Sequence, residues 1–519
     1  MADTILDYVT PEMFGAVGDG IADDTAAWQT AVSKEVDIHA NSQARYLITS
    51  PIKLPYMNGY QLIEGNNCTL ITLGNYSPFG QFNGNGTTQV VTIRKNFQNI
   101  FAIGGVNKNT AWDNASSAVF LSFSYGYAKN INAIGFCNAL RAYGHTWAEN
   151  IFGDDLRNAL WSAYAPGYNS ISNSRCGWCS GDGIIIKGEH TYVDNIHFEY
   201  AGCISLENED GTTANRGVVI SSGADFNPAQ YVSISNITCQ YFGAGAINLN
   251  AKNLSIGGVM SFGSIYEENF LANKSTSAIW LSVSDSDIGD IKLGNVYAGI
   301  GVNARTNNTR IGTIDIKSKM PVAGAILLSI TDSIDSKIVG LEIEGVIFHG
   351  QSTLNDDIYL NSEGVRIGRI FVNSLANQQG GNSVNFAKAC RVDSLYLQAT
   401  TSSSKNNICY FSAPASVGTL EIIRVYGSAI VVASDIVPDI GNVYIRNKQG
   451  IAAPIKIIGS GNQTHYWGNV YILGVSIARP TVAGTLVMQG YSGPSWRLND
   501  TEIAGATSFP EKKLTVLND

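Results

Sequence analysis

The chain has 519 residues, of which only 14% are charged, and 42 acids against 33 Lys and Arg leave a net charge of -9. That balance excludes a nucleic-acid partner, which demands a basic footprint, and no apolar run approaches the roughly 18 residues of a membrane-spanning helix. The length suits several ordinary domains or one elongated repeat domain.

The first pattern is FGAVGDGIADDT, residues 14–25, followed by AAWQTAV. FGAV is expected to supply a first strand and GDG a tight turn that needs positive φ. Asp23 or Asp24 is expected to cap a helix from Thr25 by accepting backbone N–H bonds. Ala27, Trp28, Ala31 and Val32 then share an apolar face that can lie over the open end of whatever follows. Residues 1–35 therefore read as a cap. The spacing has no D-x-D-x-D-G loop with a distal Glu, and the phosphate-loop Lys is missing, so neither calcium nor phosphate is expected here.

After about residue 95 one phrase keeps returning: Asn or Asp, alternating aliphatics, then Gly. Examples are KNINAIGF (129–136), TYVDNIHF (191–198), YVSISNITC (231–239) and GVRIGRIF (364–371). The alternation means strands with one buried face. Recurrence every 20 to 30 residues, with almost no helical periodicity between, means a solenoid. Ile131, Ile151 and Ile171 are spaced by 20, and Ile311, Ile338, Val365 and Val392 by 27. Aligning Asn173, Asn195 and Asn236 gives the columns Cys176–Phe198–Cys239 and Trp178–Tyr200–Tyr241. Stacked coils lie about 4.8 Å apart, and only the two ends leave open edges.

The solenoid is assigned to 36–480. The coils past about 300 carry fewer charged clusters and read as structural stalk. Residues 481–519 break the repeat and read as a small terminal element. Eight Cys include one close pair, Cys176 and Cys179. Without a zinc pattern or a βαβ context they read as buried reduced thiols. No metal or cofactor is expected.

The stretch FGAVGDGIADDTAAWQTAV, residues 14–32, resembles the opening signature of the pectate-lyase-like right-handed β-helix superfamily. Its F-G-A-x-G-D-G-x-x-D-D-T form is similar to that of bacteriophage tailspikes and capsule depolymerases. The resemblance covers those residues, and the repeat after them is what the family requires. It implies an all-β, single-stranded right-handed parallel β-helix with an N-terminal capping helix. It also implies a homotrimer in a phage virion that binds and cleaves host surface polysaccharide, capsule or O-antigen. The family usually carries a virion anchor ahead of this motif. Here the motif begins near residue 10, which implies a removed anchor or attachment through another phage tail or anchor protein. Residues 481–519 would then clamp the trimer.

Cleaving a glycosidic bond calls for two carboxyl groups, about 5–5.5 Å apart for retention and about 6.5–9.5 Å for inversion. They must face outward, since inward charges would be unpaired. In NIHFEY (195–200) Ile196, Phe198 and Tyr200 alternate inward, so His197 and Glu199 face out, with Arg175 one coil away. Glu199 is expected as one acid, with Asp225, Glu267 or Glu268 as the other. Tyr266 beside that Glu pair is expected to bind substrate with His197 and Arg175, and Glu207 in LENEDGTTANRG (206–217), with Glu209 and Asp210, is expected at the rim of the groove. Asp182 and the pair Asp154 and Asp155 are weaker candidates. Trp147 or Trp161 is expected outward as a sugar platform, with Tyr143, Tyr164 and Tyr168 nearby, whereas Trp178 belongs to an inward ladder. Two other readings stay open. His197 as base with Arg175 as neutraliser would suit a lyase acting on a uronate, and a spike that only binds would need no acid pair.

Overall fold

The computed structural model describes residues 7–82, 88–89, 91–107, 110, 118–201, 206–207, 213–214, 218–222, 229–242, 245–265, 279–294, 300–302, 306–317, 328–331, 338, 340–350, 356–374, 382–399, 407–423, 428–451, 453–458, 463–476, 481–482, 484–492, 496–498, 501–503 and 512–516. The fold is a right-handed parallel β-helix. Its residues form two compact units, Met1–Asn269 and Phe270–Asp519, a division that falls inside the run read from sequence as one solenoid.

The cap differs from expectation at its start. FGAV is not a strand: Pro11–Phe14 form a 3-10 turn closed by Gly15 at φ 95°. Proline pre-sets the first turn and glycine accepts the left-handed exit. The strand is Asp19–Asp23 and the helix Thr25–Val32. The two aspartates divide their work. Asp23 Oδ1 accepts the Thr25 N–H at 3.0 Å. Buried Asp24 instead accepts from Val17 and Gly18 N–H at 2.7 and 3.2 Å, tying down the turn. The helix buries Ala27, Trp28, Ala31 and Val32. Trp28 meets Tyr46 edge-on at 5.3 Å and Phe79 at 6.2 Å, and Phe79 continues to Phe97 and Phe120. One tryptophan thus joins the cap to the aromatic core of the first coils.

In the first unit each coil has a short strand followed by a long one. The short strands Val119–Ser124, Asn138–Ala142, Ala159–Ala163 and Ile184–Ile186 stack in parallel. The long strands Gly126–Ile134, Thr146–Asp154, Asn169–Cys179, Glu189–Ala201 and Ala229–Phe242 stack likewise. Each long strand bends at a left-handed asparagine: Asn130, Asn150, Asn173, Asn195 and Asn236 have φ between 49° and 55°. Asparagine tolerates that conformation better than other side-chain-bearing residues. The bend gives the long strand two arms, so the coil has three faces. The asparagines also bond to one another: Asn130 donates to Asn99 at 2.8 Å, Asn150 to Asn130 at 2.7 Å, and Asn195 to Asn173 at 2.8 Å.

The columns read from Asn173, Asn195 and Asn236 are in register, Cys176 on Phe198 on Cys239. The even spacing read from isoleucines is not the register throughout. Ile131 pairs with Ile151, but Ile171 pairs with Ala148, and Ile311 pairs with Ile343 rather than Ile338. Coils differ in turn length, and register follows the left-handed bend, not a fixed count.

The second unit repeats the coil in Asn307–Lys317, Leu341–Gly350, Val365–Ser374, Arg391–Ala399 and Ser416–Ile423, all parallel. Its charges are not sparse. Among the described residues it holds the pairs Arg310–Glu344, Arg366–Asp393 and Arg391–Asp393. Arg310–Glu344 and Arg366–Asp393 neutralise each other across neighbouring coils, and Arg391–Asp393 does so within one strand. At the end, Lys512–Val516 lies antiparallel to Gly484–Ser492, and Trp496–Leu498 pairs antiparallel with Thr501–Ile503. The parallel repeat has changed to hairpins.

Candidate functional site

The second arm of the long strands, after the asparagine bend, carries the strongest chemistry. Its outward positions form two neighbouring columns. The first is Phe152, Arg175, His197 and Thr238. The second is Asp154, Gly177, Glu199 and Gln240, each one register step from the pairs Gly153–Cys176, Cys176–Phe198 and Phe198–Cys239. Arg175, His197 and Glu199 are all exposed, as the alternation around Ile196 and Phe198 requires.

Each group is held differently. The Arg175 guanidinium lies 4.9 Å over the Phe152 ring, a cation–π contact that fixes it without neutralising it. His197 Nδ1 stands 2.8 Å from Thr238 Oγ1, which leaves Nε2 toward solvent. Glu199 lies two residues along the same face, roughly 6.6 Å from His197 by strand rise. Neither Arg175 nor Glu199 forms an ion pair with another described residue, unlike the charges of the second unit.

A carboxylate that the sequence ranked low joins Glu199. Asp154 is half-buried and accepts the Asp155 N–H at 2.9 Å. Its Oδ1 lies 2.5 Å from where a Cβ of Gly177 would stand. Its side chain therefore lies across the Gly177 coil, toward the coil of Glu199. The glycine leaves no side chain between them. Their backbones are two coils apart, roughly 9.6 Å. The sequence missed this because Asp154 and Glu199 are far apart in the chain, and only the register makes Gly177 the gap between them.

The other candidates are distributed. Asp225, Tyr266, Glu267 and Glu268 lie outside the described residues, as do Glu209 and Asp210. Glu207 sits in a two-residue strand paired antiparallel with Thr213–Ala214, so its coil carries the expected excursion. Asp182 is half-buried beside Gly181 and Gly183. Trp147 is 56% exposed, whereas Trp161 is 0% exposed. Trp161 is therefore no sugar platform: it packs in the column Leu140–Trp161–Ile184 of the short strands. Trp178, Tyr200 and Tyr241 form the ladder read from sequence, stacked at 4.5 and 5.0 Å. Tyr143 and Tyr164 stack at 5.8 Å, with Arg141 and Lys187 over the Tyr164 ring. Cys176 and Cys179 are buried, and desolvation raises the Cys176 thiol well above its ordinary value. That thiol stays protonated.

A second aromatic ladder escaped the sequence reading except for Tyr168. It is Tyr125, His145, Tyr168, His190 and Tyr231, stepping 4.8, 5.9, 5.0 and 4.9 Å between ring centroids. It lies at the turn from short to long strand. The available signal was position: each residue stands immediately before the first residue of a long strand or at its start.

No family model matches the chain, and no curated protein does. Among solved structures it is similar to the ORF18 protein of Geobacillus virus E2, at 12% identity over 60% of this chain and 57% of that one, with a TM-score of 0.36. It is similar to the A-module of a mannuronan C-5 epimerase of Azotobacter vinelandii, at 12% identity over 72% of this chain and 100% of that one, TM-score 0.44. It is also similar to tailspike protein 3 of bacteriophage CBA120, at 10% identity over 88% of this chain and 62% of that one, TM-score 0.35. Its structural neighbours are thus phage tailspikes and other β-helix proteins. At these identities the likeness concerns the fold alone.

Proposed function

We propose that this chain is the shaft of a phage spike that binds a bacterial surface polysaccharide and hydrolyses it endolytically. The observation that carries the reading is the outward pair Asp154 and Glu199 across Gly177, beside His197 and an Arg175 that forms no ion pair with another described residue. A separation of roughly 9.6 Å between backbones lets flexible side chains enter the about 6.5–9.5 Å window of an inverting pair. Glu199, exposed and longer, is the acid that protonates the leaving oxygen. Asp154, steadied by the Asp155 N–H, is the base that activates water. Arg175 and His197 bind sugar hydroxyls or carboxylates beside the cleaved bond. The tailspike-like opening motif supplies the substrate class and the virion setting. Asp225, Glu267 and Glu268 stay as rival partners for Glu199.

The test is incubation with a panel of purified capsules and O-antigens, with mass spectrometry of the products. Saturated oligosaccharides are expected. Products with a near-ultraviolet unsaturated end would move the reading to a lyase with His197 as base, and retention without products to a spike that only binds. Glu199→Gln keeps shape and an amide while removing the titratable proton. Turnover is expected to fall at least about a hundredfold, the scale of general acid–base help, with retention intact. Asp154→Asn is expected to match it. Near-native cleavage by both variants would remove this wall from the chemistry.

A further inference from the structure

We infer that the ladder Tyr125–His145–Tyr168–His190–Tyr231 is a second glycan-binding track, on a different face of the coil from Glu199. Three observations point to it. First, Tyr125, His145, His190 and Tyr231 sit at φ 51°, 52°, 50° and 53°, a left-handed conformation that histidine tolerates but that a bulky tyrosine rarely adopts. The same coils meet the same conformation at the other bend with asparagine throughout. Strain kept where an easy residue was available marks function rather than folding.

Second, the tyrosines of the ladder are out in solvent and its two histidines are half-buried between them. Tyr125, Tyr168 and Tyr231 are 46%, 51% and 50% exposed. Tyr125 on His145 and His190 on Tyr231 are stacked, at 20° and 5° between ring planes, while Tyr168 is tilted 49° and 32° to its two neighbours, so the stacked rings turn their edges outward. The row therefore offers phenol hydroxyls and imidazole nitrogens in alternation, one group per coil. That is a hydrogen-bonding track along the stacking direction, with a step comparable to one sugar of an extended chain.

Third, the neighbouring column supplies apolar faces. Trp147 and Tyr192 are exposed and lie two coils apart, with only Ser170 between them. The small serine leaves room beside both rings, and an aromatic face covers the C–H face of a pyranose. Charge sets the ligand class. Lys129 on this face is neutralised by Glu149 at 2.9 Å, and Asp194 keeps its negative charge while accepting from Ser235, which disfavours anionic sugars. The track suits an uncharged, hydroxyl-rich stretch of an extended glycan. A face built to pack against a second copy of the chain would instead be apolar at its centre, and here polar ring edges run through the centre.

The track takes its polysaccharide from the proposed function but does not depend on cleavage. The experiment uses the full chain and the double variant His145→Asn with His190→Asn, because asparagine suits the left-handed turn and keeps the fold. Affinity electrophoresis through gels containing uncharged bacterial polysaccharides, together with any polymer that the native chain cleaves, reads retention. The double variant is expected to lose retention at least tenfold, and Trp147→Ala to weaken it too. Cleavage of short oligosaccharides at the Glu199 wall should continue. If the native chain retains and cleaves nothing, the polysaccharide reading itself fails. If the native chain and the double variant are retained alike, the track fails alone. A change of oligomeric state in the double variant, seen by light scattering, would make the ladder a subunit interface and overturn the proposal.

Discussion

The two left-handed turns of the first unit set the same backbone problem and answer it differently. At the bend inside the long strand every coil from 130 to 236 places asparagine, and Asn150 donates to Asn130 at 2.7 Å and Asn195 to Asn173 at 2.8 Å. At the turn before the long strand the coils place Tyr, His, His and Tyr. Left-handed backbone costs an ordinary residue roughly 1–2 kcal/mol, and asparagine much less. The first column lowers that cost and adds hydrogen bonds, so it holds the coil together. The second accepts the cost and recovers part of it by ring stacking, about 0.5–1.5 kcal/mol for each pair. Where residue and backbone agree, the column is architecture. Where they disagree and the tyrosines stay exposed, as at Tyr125 and Tyr231, the column is the one proposed to have a reason beyond folding.

Breaking the asparagine column should have the largest effect on stability. Asn173→Val puts a β-branched residue into left-handed backbone and removes the acceptor of Asn195. A loss of about 3 kcal/mol is expected from strain and one lost hydrogen bond together, read as a lower denaturant midpoint. A shift below a few tenths of that would mean the ladder is ornamental.

Lys95 tests the end where the aromatic turn begins, one residue after left-handed Arg94. Its side chain is fully buried, with Nζ donating to Gln61 Oε1 at 2.8 Å. Desolvation lowers its pKa to about 8, against about 10.4 in the unfolded chain. Between those values the unfolded state holds the proton and the folded state has shed it, so stability rises with pH through that window. The gain should approach roughly 3 kcal/mol at most. Melts at pH 7 and pH 10 should therefore show an upward shift relative to Lys95→Met, which lacks the titrating group. Parallel curves for the two proteins would contradict a buried, titrating lysine.

His190→Asn should have the smallest effect on stability. It relieves strain but loses a tilted ring contact with Tyr168 at 5.0 Å and stacking on Tyr231 at 4.9 Å. The two terms nearly cancel, and the midpoint is expected to move by less than about 1 kcal/mol in either direction. A loss as large as that of Asn173→Val would erase the distinction between the columns.

By itself the sequence determined the solenoid. Period-two alternation asks for a buried face, its recurrence every 20 to 30 residues without helical periodicity between points to stacked coils, and a stack of coils needs a cap such as Ala27, Trp28, Ala31 and Val32. It also determined that His197 and Glu199 point outward, because parity is local. Tertiary structure decided what stands beside what. Stacking distance depends on turn lengths that vary from coil to coil, so neither the pairing of Ile171 with Ala148 nor the Asp154–Gly177–Glu199 column follows from spacing. Burial of Trp161 depends on the column it joins, not on its neighbours in the chain. The ladder from Tyr125 to Tyr231 exists only once the coils are in register, since backbone sign and ring stacking are properties of the stacked coil, not of any one segment.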